Sequence, residues 1–320
     1  MGLARQIEKN WYGRVLGNAW LLPLVPLVWL VVTLKRRRFL RNPPAASAIP
    51  VVVVGNITVG GTGKTPLITY LVARARALGF NPAIVSRGYG GNGQYPLLVN
   101  DETPVSACGD EPKLLASRLN CPVAVDPQRA RAVAELAGKA DLIFSDDGLQ
   151  HYAMARQREI VVVDASRGFG NGWLLPAGPL REPVSRIDSV DLVLANGRDF
   201  RVSATALVNA KTGEVCDLAT LNNTTVHAVS GIGNPQRFYD TLTELGARVV
   251  AHAFPDHHAF AEQDFDFPQA SAGMVVMTEK DWVKCRSFAQ PDWWYLAVDA
   301  QPAAQAAARI DELLLSLKRF

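Results

Sequence analysis

Short apolar runs rich in valine and isoleucine alternate with segments of helical periodicity from residue 50 onward. Strands that are apolar on both faces are typical of a parallel sheet covered by helices on each side. The pattern predicts strands at Pro50–Val54, Pro82–Ser86, Val123–Val125, Asp141–Ser145, Glu159–Asp164 and Asp191–Ala195. It predicts helices at Thr65–Leu78, Asp110–Leu119 and Gln128–Ala137, and a long functional loop at Gly168–Pro183, which is rich in glycine and proline.

A second series of the same kind follows. It predicts strands at Val226–Ser230, Ala247–Phe254, Met274–Met277 and Trp294–Val298, and helices at Pro235–Leu245 and Gln301–Lys318. Strands alternating with helices place the chain in the α/β class. We therefore expect an N-terminal segment at 1–41, a first α/β domain at 42–200 and a smaller α/β domain at 201–320. A cleft between two such domains is a usual place for a ligand.

The N-terminal segment is the most apolar part of the chain. No charged residue lies between Arg14 and Lys35, and the run AWLLPLVPLVWLVVTL at 19–34 leads directly into the basic sequence KRRRFLR. The run is slightly short for a spanning helix, contains two prolines and lacks the cleavage site of a signal peptide.

Three interpretations of this segment stay open. It is a helix lying in the membrane interface with its arginine cluster on anionic lipid, a single span with a basic cytoplasmic flank, or a buried or partner-docking helix. The first two interpretations place the globular body at the cytoplasmic face of a membrane, and they predict a substrate that is located there.

Composition and charge narrow the function classes. Of 320 residues, 48% are hydrophobic and 20% charged, which excludes a disordered or low-complexity protein. Residues 1–41 carry eight basic and one acidic side chain, a net charge of +7, so the remaining residues sum to −4 against a total of +3. The globular body is therefore not a nucleic-acid binder by charge. The four cysteines form no CxxC pair, which favours a reduced, cytosolic environment.

The most specific motif is VVVVGNITVGGTGKTP at 51–66, where a buried strand leads through a glycine-rich loop into a helix. This is the context of a P-loop, whose backbone N–H groups point at phosphate oxygens and whose helix N-terminus favours negative charge. Lys64 would reach the β- and γ-phosphates of a nucleotide, and the hydroxyl of Thr65 would bind Mg²⁺. The candidate nucleotide-binding residues of the loop are Thr58, Val59, Gly60, Gly61, Thr62, Gly63, Lys64 and Thr65. The strict motif requires glycine where Thr58 stands.

A P-loop needs an acidic partner at the end of a neighbouring strand. In DLIFSDDGLQHY at 141–152, Asp146 and Asp147 follow a predicted strand, at the edge where ligands bind in open α/β sheets. One of these carboxylates would hold Mg²⁺ directly or through water, and Gln150 follows at the entrance. The alternative is that Asp-Asp-Gly only forms a turn.

Further motifs make the pattern more specific than a generic P-loop protein. They are SRGYG (86–90), GDEP (109–112), DDGLQHY (146–152), NGWLLPAGPLREP (171–183), FPDHHAF (254–260) and TEKDWVK (278–284). Together with the N-terminal apolar segment and VGNITVGGTGKTP, their order resembles the tetraacyldisaccharide 4′-kinase family of Gram-negative bacteria. A threonine at position 58 is normal for that family.

The resemblance implies ATP-dependent phosphorylation of the 4′-hydroxyl of a tetraacylated glucosamine disaccharide 1-phosphate, which gives lipid IVA in lipid A biosynthesis. It implies a P-loop NTPase-like parallel-sheet domain, a second smaller α/β domain closing over the nucleotide, and an N-terminal membrane-associated helix. The cofactors would be ATP and Mg²⁺, and the partners a lipid A precursor and the cytoplasmic surface of the inner membrane. We infer no nucleic-acid partner and no obligate protein partner.

The resemblance also implies site residues. Asp110 in GDEP would be catalytic and take the proton from the sugar hydroxyl, together with a histidine of FPDHHAF, which is His257 or the adjacent His258. The alternative is that Asp110 only caps the helix that begins at GDEP. We expect Arg87 to clamp a phosphate and Tyr89 to stack on a sugar or base, unless SRGYG is only a turn.

Two motifs stay without a definite role. Arg181 and Glu182 would contact the acceptor or the nucleotide. Lys280, Asp281 and Lys284 in TEKDWVK either lie near the nucleotide base or form a solvated helix face.

Two other function classes compete with the kinase. A membrane-tethered P-loop switch would hydrolyse ATP or GTP without a small-molecule acceptor, and Asp110 with a histidine argues against it because a switch needs no base aimed at an acceptor hydroxyl. A dinucleotide-binding dehydrogenase would need G-x-G-x-x-G and a distal acid in place of Lys64–Thr65.

Overall fold

A computed structural model describes residues 3–13, 17–267 and 273–319. The α-helices are α1 (Leu3–Gly13), α2 (Val25–Arg41), α3 (Lys64–Ala77), α4 (Val105–Cys108), α5 (Asp110–Arg118), α6 (Arg129–Glu135), α7 (Pro235–Glu244), α8 (Glu279–Cys285) and α9 (Ala304–Ser316). The strands are β1 (Val51–Gly55), β2 (Pro82–Ser86), β3 (Leu97–Val99), β4 (Val123–Val125), β5 (Leu142–Asp146), β6 (Arg158–Asp164), β7 (Leu192–Asn196), β8 (Phe200–Asn209), β9 (Val215–Cys216), β10 (Thr225–Ser230), β11 (Arg248–Ala253), β12 (Met274–Thr278) and β13 (Trp293–Pro302).

All these strands belong to one sheet with the order β11-β10-β12-β13-β8-β7-β6-β1-β5-β2-β4-β3, and β9 pairs with β8 at the side. The strands of the first half (residues 42–200) from β7 to β4 are parallel, and β3 closes that edge in antiparallel pairing. In the second half (residues 201–320), β11, β10, β12 and β13 are parallel. The two predicted α/β series therefore share one sheet.

The central strands are apolar because both of their faces are covered. Every residue of β1, β2 and β5 is buried. One face packs on α3 through Leu67 and Leu71, and the other packs around Ile57 and Leu149. Burial on both faces removes the alternation of polar and apolar residues, and the carboxyl ends of β1 and β5 are left side by side at one sheet edge.

The long antiparallel pair β8–β13 joins the halves. Phe200 pairs with Pro302 at one end of it, and Asn209 pairs with Trp294 at the other. The chain then returns to the first half, because Ile310 and Leu314 of α9 lie in the same core cluster as Leu67.

The N-terminal helices differ in their surroundings. Trp11 of α1 is buried, and its indole Nε1 donates to the carbonyl of Pro176 at 3.0 Å. In contrast, α2 has no buried residue and follows a 3₁₀ turn at Ala19–Leu24. The segment Ala19–Arg41, 23 residues long, is long and apolar enough to cross a membrane. Since α2 is exposed, the structure does not fit the interpretation of this segment as a buried helix.

The structure confirms the predicted parallel strands and differs from the prediction at several places. Strands β3, β8 and β9 are additional to the predicted set, and β8 forms the longest strand pair, with β13. The last helix begins at Ala304 and not at Gln301, since Gln301 and Pro302 still pair with β8. Residues 168–183 form an irregular loop, as predicted, with only two isolated bridges, one at Thr58 and Leu180.

Candidate functional site

The P-loop lies between the end of β1 and the start of α3. Gly60 has φ +106° and Gly63 has φ +91°, a backbone conformation that other residues rarely adopt. A Cβ atom at Gly63 would also lie 2.8 Å from the side-chain amide nitrogen of Asn196 at the end of β7. The last loop glycine thus caps α3 in close contact with the sheet edge, which leaves the helix N-terminus free for an anion.

The 168–183 loop pairs with the backbone at the start of the P-loop. Thr58 forms a bridge with Leu180, and the backbone N–H of Arg181 donates to the carbonyl of Ile57 at 2.7 Å. Thr58 is buried by this pairing. A side chain in place of the usual glycine is therefore accommodated at this position, because the backbone runs as a short strand there.

The ammonium group of Lys64 faces the acidic turn after β5. Its Nζ atom lies 3.2 Å from the amide oxygen of Asn56 and 3.5 Å from Oδ1 of Asp147. The other carboxylate oxygen of Asp147 accepts from Nη1 of Arg181 at 2.9 Å. The structure therefore brings the predicted phosphate-binding lysine and one predicted metal-side carboxylate together.

The two carboxylates of this turn differ in charge state. Burial raises the pKa of Asp146 to about 7, and the nearby carboxylates of Glu111 and Asp147 add to that effect. Burial also acts on Asp147, but Lys64 and Arg181 outweigh it and hold its pKa at about 2. Asp147 is thus ionised at neutral pH. Asp146 is partly protonated there, and a bound cation would favour its ionised form.

An arginine that the sequence analysis missed holds the turn in place. Arg129, at the start of α6, is buried, and its Nη2 donates to the carbonyls of Asp146 and Asp147 at 3.0 Å each. Asp147 has φ +46°, which these bonds help to maintain. No local signal in the sequence marks Arg129, since its partners lie 17 and 18 residues away.

The predicted catalytic pair also comes together. The imidazole Nδ1 of His257, in the loop after β11, lies 3.0 and 3.1 Å from the carboxylate oxygens of Asp110 at the start of α5. Tyr89 is 65% exposed, and its ring centroid lies 5.2 Å from that of His257. Tyr89 is therefore next to the Asp110–His257 pair at an open surface.

The adjacent histidine is engaged elsewhere. Nε2 of His258 lies 2.9 Å from Oδ2 of Asp264, and its ring stacks on Phe254 with centroids 4.9 Å apart. Of the two histidines, the geometry favours His257 as the partner of Asp110.

Two neighbouring residues of the 168–183 loop point in different directions. Arg181 turns towards Asp147, while Glu182 is buried and accepts hydrogen bonds from Gln150 at 2.9 Å and from the hydroxyl of Tyr152 at 2.7 Å. The amide of Gln150 also donates to the carbonyl of Asn56 at 3.1 Å. Gln150 thus links Asn56, which follows the P-loop strand, to the buried Glu182.

The TEKDWVK motif does not form a solvated helix face, so that interpretation was wrong. Asp281 is buried and accepts from the backbone N–H of Gly231 at 3.0 Å. Lys280 donates to Glu111 at 3.0 Å. Burial would lower the pKa of Lys280, but the carboxylates of Glu111 and Asp110 raise it above its ordinary value. The start of α8 therefore places a cation beside the Asp110–His257 pair.

The remaining predicted residues lie around the same sheet edge. Arg87 is exposed at the end of β2, and its charge acts on the neighbouring His151. Burial lowers the pKa of His151 to about 4, with a further contribution from Arg129. Gly61 is exposed, and Thr62 is buried with a hydroxyl that has no hydrogen-bond partner within the described residues.

A cleft of about 660 Å³ is lined by residues of both halves. The ends of β6 and β7 contribute Asp164, Arg167 and Asn196, and the start of α7 contributes Asn234 and Arg237. The side chain of Asn196 donates to the carbonyl of Thr62 at 3.3 Å, so the cleft is continuous with the P-loop.

The motifs and this geometry are matched by a family of known proteins. A family model described as Tetraacyldisaccharide-1-P 4′-kinase matches residues 17–315. The chain belongs to this kinase family. The resemblance inferred from the motifs is confirmed, and so is the prediction that the chain is an ATP-dependent enzyme of lipid A biosynthesis.

Individual relatives extend over the whole chain. A tetraacyldisaccharide 4′-kinase of Pseudomonas fluorescens is 48% identical over 333 residues, covering 99% of this chain and 98% of the relative. One of Vibrio cholerae serotype O1 is 48% identical over 324 residues, covering 95% of each.

A solved structure supports the fold. It is the "apo" form of LpxK from Aquifex aeolicus in complex with ATP, with a TM-score of 0.80 over 94% of this chain and 99% of that chain, at 24% sequence identity. The predicted α/β fold class is confirmed by this likeness.

The acidic turn is chemically suited to a magnesium ion. Both carboxylate oxygens of Asp146 are buried without a hydrogen-bond partner in the part of the chain that the structure describes. Asp147 is ionised beside it, and Thr65 lies in the first turn of α3. Hard oxygen ligands of this kind, completed by nucleotide phosphates, are what Mg²⁺ prefers.

Proposed function

We propose that this kinase transfers the γ-phosphate of ATP to the 4′-hydroxyl of a tetraacylated glucosamine disaccharide 1-phosphate at the cytoplasmic surface of the inner membrane. The observation that carries the proposal is the contact between Asp110 and His257 beside a P-loop. A carboxylate oriented by an imidazole is suited to accept a proton from an acceptor hydroxyl. The family assignment supports the same acceptor.

The P-loop would bind the triphosphate. Its backbone N–H groups and the N-terminus of α3 would donate to the phosphates, and Lys64, now 3.5 Å from Asp147, would also contact phosphate oxygens. Thr65, Asp146 and Asp147 would hold Mg²⁺, which neutralises charge on the transferring phosphoryl group when it is bound. Arg181, within 2.9 Å of Asp147, adds a second positive charge on the same side.

Asp110 would act as the general base. His257 fixes the carboxylate through Nδ1, and Lys280 with Glu111 sets the surrounding charge. The proton of the 4′-hydroxyl would pass to Asp110 as the oxygen attacks the γ-phosphorus, and the bond from that phosphorus to the bridging oxygen would break, so that ADP leaves. Asp110 and His257 come from different halves, so the base is formed where the two halves meet.

The N-terminal segment would bring the site to its lipid acceptor. Large apolar side chains of α2, among them Leu27, Trp29 and Leu34, are exposed by about half, and arginines follow at 36–38. Apolar burial combined with basic residues at anionic head groups is a strong membrane signal.

A transfer assay tests the proposal. Purified protein is incubated with γ-labelled ATP, Mg²⁺ and a detergent-dispersed disaccharide monophosphate, and the lipid product is examined for label. We expect a labelled lipid with the wild type and none with Lys64→Ala. The side chain of Lys64 is 13% exposed at the start of α3, so the melting temperature of the variant is measured beside its activity to separate loss of transfer from loss of folding. Release of free phosphate without labelled lipid would instead support the nucleotide switch.

A further inference from the structure

Arg167 lies in a hydrogen-bonded turn, Asp164 to Gly168, at the end of β6. The carboxylate of Asp164 accepts from the backbone N–H of Ser166 at 2.9 Å and from its hydroxyl at 2.6 Å. The backbone N–H groups of Arg167 and Gly168 donate to the carbonyl of Asp164 at 3.3 and 2.8 Å. These four bonds hold the backbone of Arg167 at the carboxyl edge of the sheet, next to the strand that leads into the P-loop.

The side chain of Arg167 reaches the P-loop. One of its terminal nitrogens lies 3.7 Å from the position that a Cβ atom at Gly60 would occupy. It also lines the 660 Å³ cleft together with Asn196, whose amide contacts Thr62. Among the residues that the structure describes, no acidic side chain forms an ion pair with Arg167. A positive charge without a carboxylate partner thus stands beside the loop that would carry the phosphates.

Tyr12 of α1 holds this arginine in place. The guanidinium carbon lies 5.2 Å from the centroid of the Tyr12 ring, and the hydroxyl of Tyr12 donates to the carbonyl of Val59 in the P-loop at 3.3 Å. The position of Tyr12 is fixed in turn by its neighbour Trp11, which is buried and whose carbonyl accepts from the N–H of Asn171 at 2.8 Å. The N-terminal helix, the arginine and the P-loop therefore form one connected unit.

We propose that Arg167 is a further nucleotide-binding residue, whose guanidinium contacts the phosphate chain of the nucleotide in the P-loop, and that Tyr12 is its positioning residue. This inference rests on the proposed kinase function. It adds a role for α1 that is separate from membrane attachment, because the helix would support nucleotide binding through Tyr12.

The chemistry of the guanidinium supports this role. Its N–H donors lie in the plane of the group, so stacking one face on the Tyr12 ring leaves the edge donors free for phosphate oxygens. Stacking also restrains a long side chain before the ligand arrives, which reduces the entropy lost on binding. Lys64 already interacts with Asp147, so a second cation without such a partner contributes to the attraction of the triphosphate.

Steady-state kinetics and calorimetry on the full-length chain in detergent test the proposal. ATP and Mg²⁺ are titrated against Arg167→Ala, Arg167→Lys, Tyr12→Ala and Tyr12→Phe, and the KM for the disaccharide acceptor is measured separately. Loss of one charge-assisted hydrogen bond predicts an increase of roughly 10- to 100-fold in the Kd for ATP in Arg167→Ala. Arg167→Lys should recover part of the affinity, since it keeps the charge but not the planar group.

The tyrosine variants separate positioning from stability. Tyr12→Ala should raise the KM for ATP about 2- to 5-fold, the equivalent of an exposed cation–π contact, and should have no further effect in the Arg167→Ala background. Tyr12→Phe keeps the ring and should restore most of the loss. Arg248→Ala, at an exposed position on the far edge strand β11, serves as the control and should leave the KM for ATP unchanged.

The outcomes are distinguishable. If the wild type labels the lipid but Arg167→Ala and Arg167→Lys bind ATP with wild-type affinity, the inference is overturned while the kinase function stands. If the KM of the acceptor rises and that of ATP does not, Arg167 binds the phosphate of the lipid and the inference is also overturned. If the wild type itself shows no affinity for ATP, the proposed function fails first.

Discussion

Nδ1 of His257 lies 3.0 Å from a carboxylate oxygen of Asp110, although the two residues are 147 positions apart in the chain. Asp110 begins a helix of the first half, and His257 follows a strand of the second. His257 has φ +59°, a backbone conformation that residues other than glycine rarely adopt. The pair therefore links the two halves of the chain.

The first prediction concerns this pair. Asp110→Asn should lower kcat by a factor on the order of 10² or more, because the amide cannot accept the proton of the acceptor hydroxyl. His257→Asn should lower kcat less, by about tenfold, and the double variant should be no worse than Asp110→Asn alone. Steady-state rates at saturating ATP measure this. A collapse of ATP affinity in Asp110→Asn would instead make Asp110 a structural or metal-binding residue.

A second prediction contrasts two adjacent residues of the 168–183 loop. Arg181→Ala should lower the transfer rate with little change in melting temperature, since its side chain is partly exposed beside Asp147. Glu182→Ala should lower the free energy of unfolding by about 3 kcal/mol, because it removes one partner from a buried network with Gln150, Tyr152 and Arg186. Urea unfolding and the transfer assay, run on both variants, should give opposite patterns. Equal losses of stability would refute the distinction.

A third prediction uses the raised pKa of Asp146. Burial, aided by Glu111 and Asp147, brings that pKa to about 7, against roughly 3.9 in the unfolded chain. The folded state then holds a proton that the unfolded state has lost, so this group costs stability as the pH rises from about 4 through 7. Asp146→Asn should therefore be more stable than the wild type at pH 8, and the difference should shrink towards pH 5. Melting temperatures in metal-free buffer measure the effect.

Asp147 provides the matched control. Its pKa of about 2 lies below that of the unfolded chain, so the stability that its charge contributes is present above about pH 4 and is lost only as the pH falls through 2. The difference between Asp147→Asn and the wild type should consequently stay constant from pH 5 to pH 8. A difference that varies over this range as strongly as that of Asp146→Asn would contradict the assignment of the two charge states.

A fourth prediction separates the two N-terminal helices. Replacing the exposed Leu27, Leu30 and Leu34 of α2 by glutamine should reduce sedimentation with anionic vesicles and leave the melting temperature unchanged, because none of the three is buried. Trp11→Ala in α1 should have the reverse effect, lowering the melting temperature with vesicle binding retained. Undiminished vesicle binding by the α2 variant would show that this helix does not attach the protein to membranes.

The sequence by itself determined those features of the fold and the site that depend on residues close together in the chain. The strand before Asn56, the glycines that allow positive φ and the lysine at the helix start follow from local backbone geometry, and the parallel sheet follows from strands that are apolar on both faces. The order of motifs was sufficient for the family. The alternating strand β8 carried a weaker signal, because its residues are only partly buried on a joint between the halves.

Tertiary structure decided which distant groups meet. Only the contact with Asp110 identifies His257, and not His258, as its partner. Only burial distinguishes the structural role of Glu182 from the role of the neighbouring Arg181. The return of α9 to the first core and the contact of Tyr12 with the P-loop have no local signal either. Such contacts depend on where packing places chain segments that are 30 or more residues apart, and a linear pattern holds no information on the distance between them.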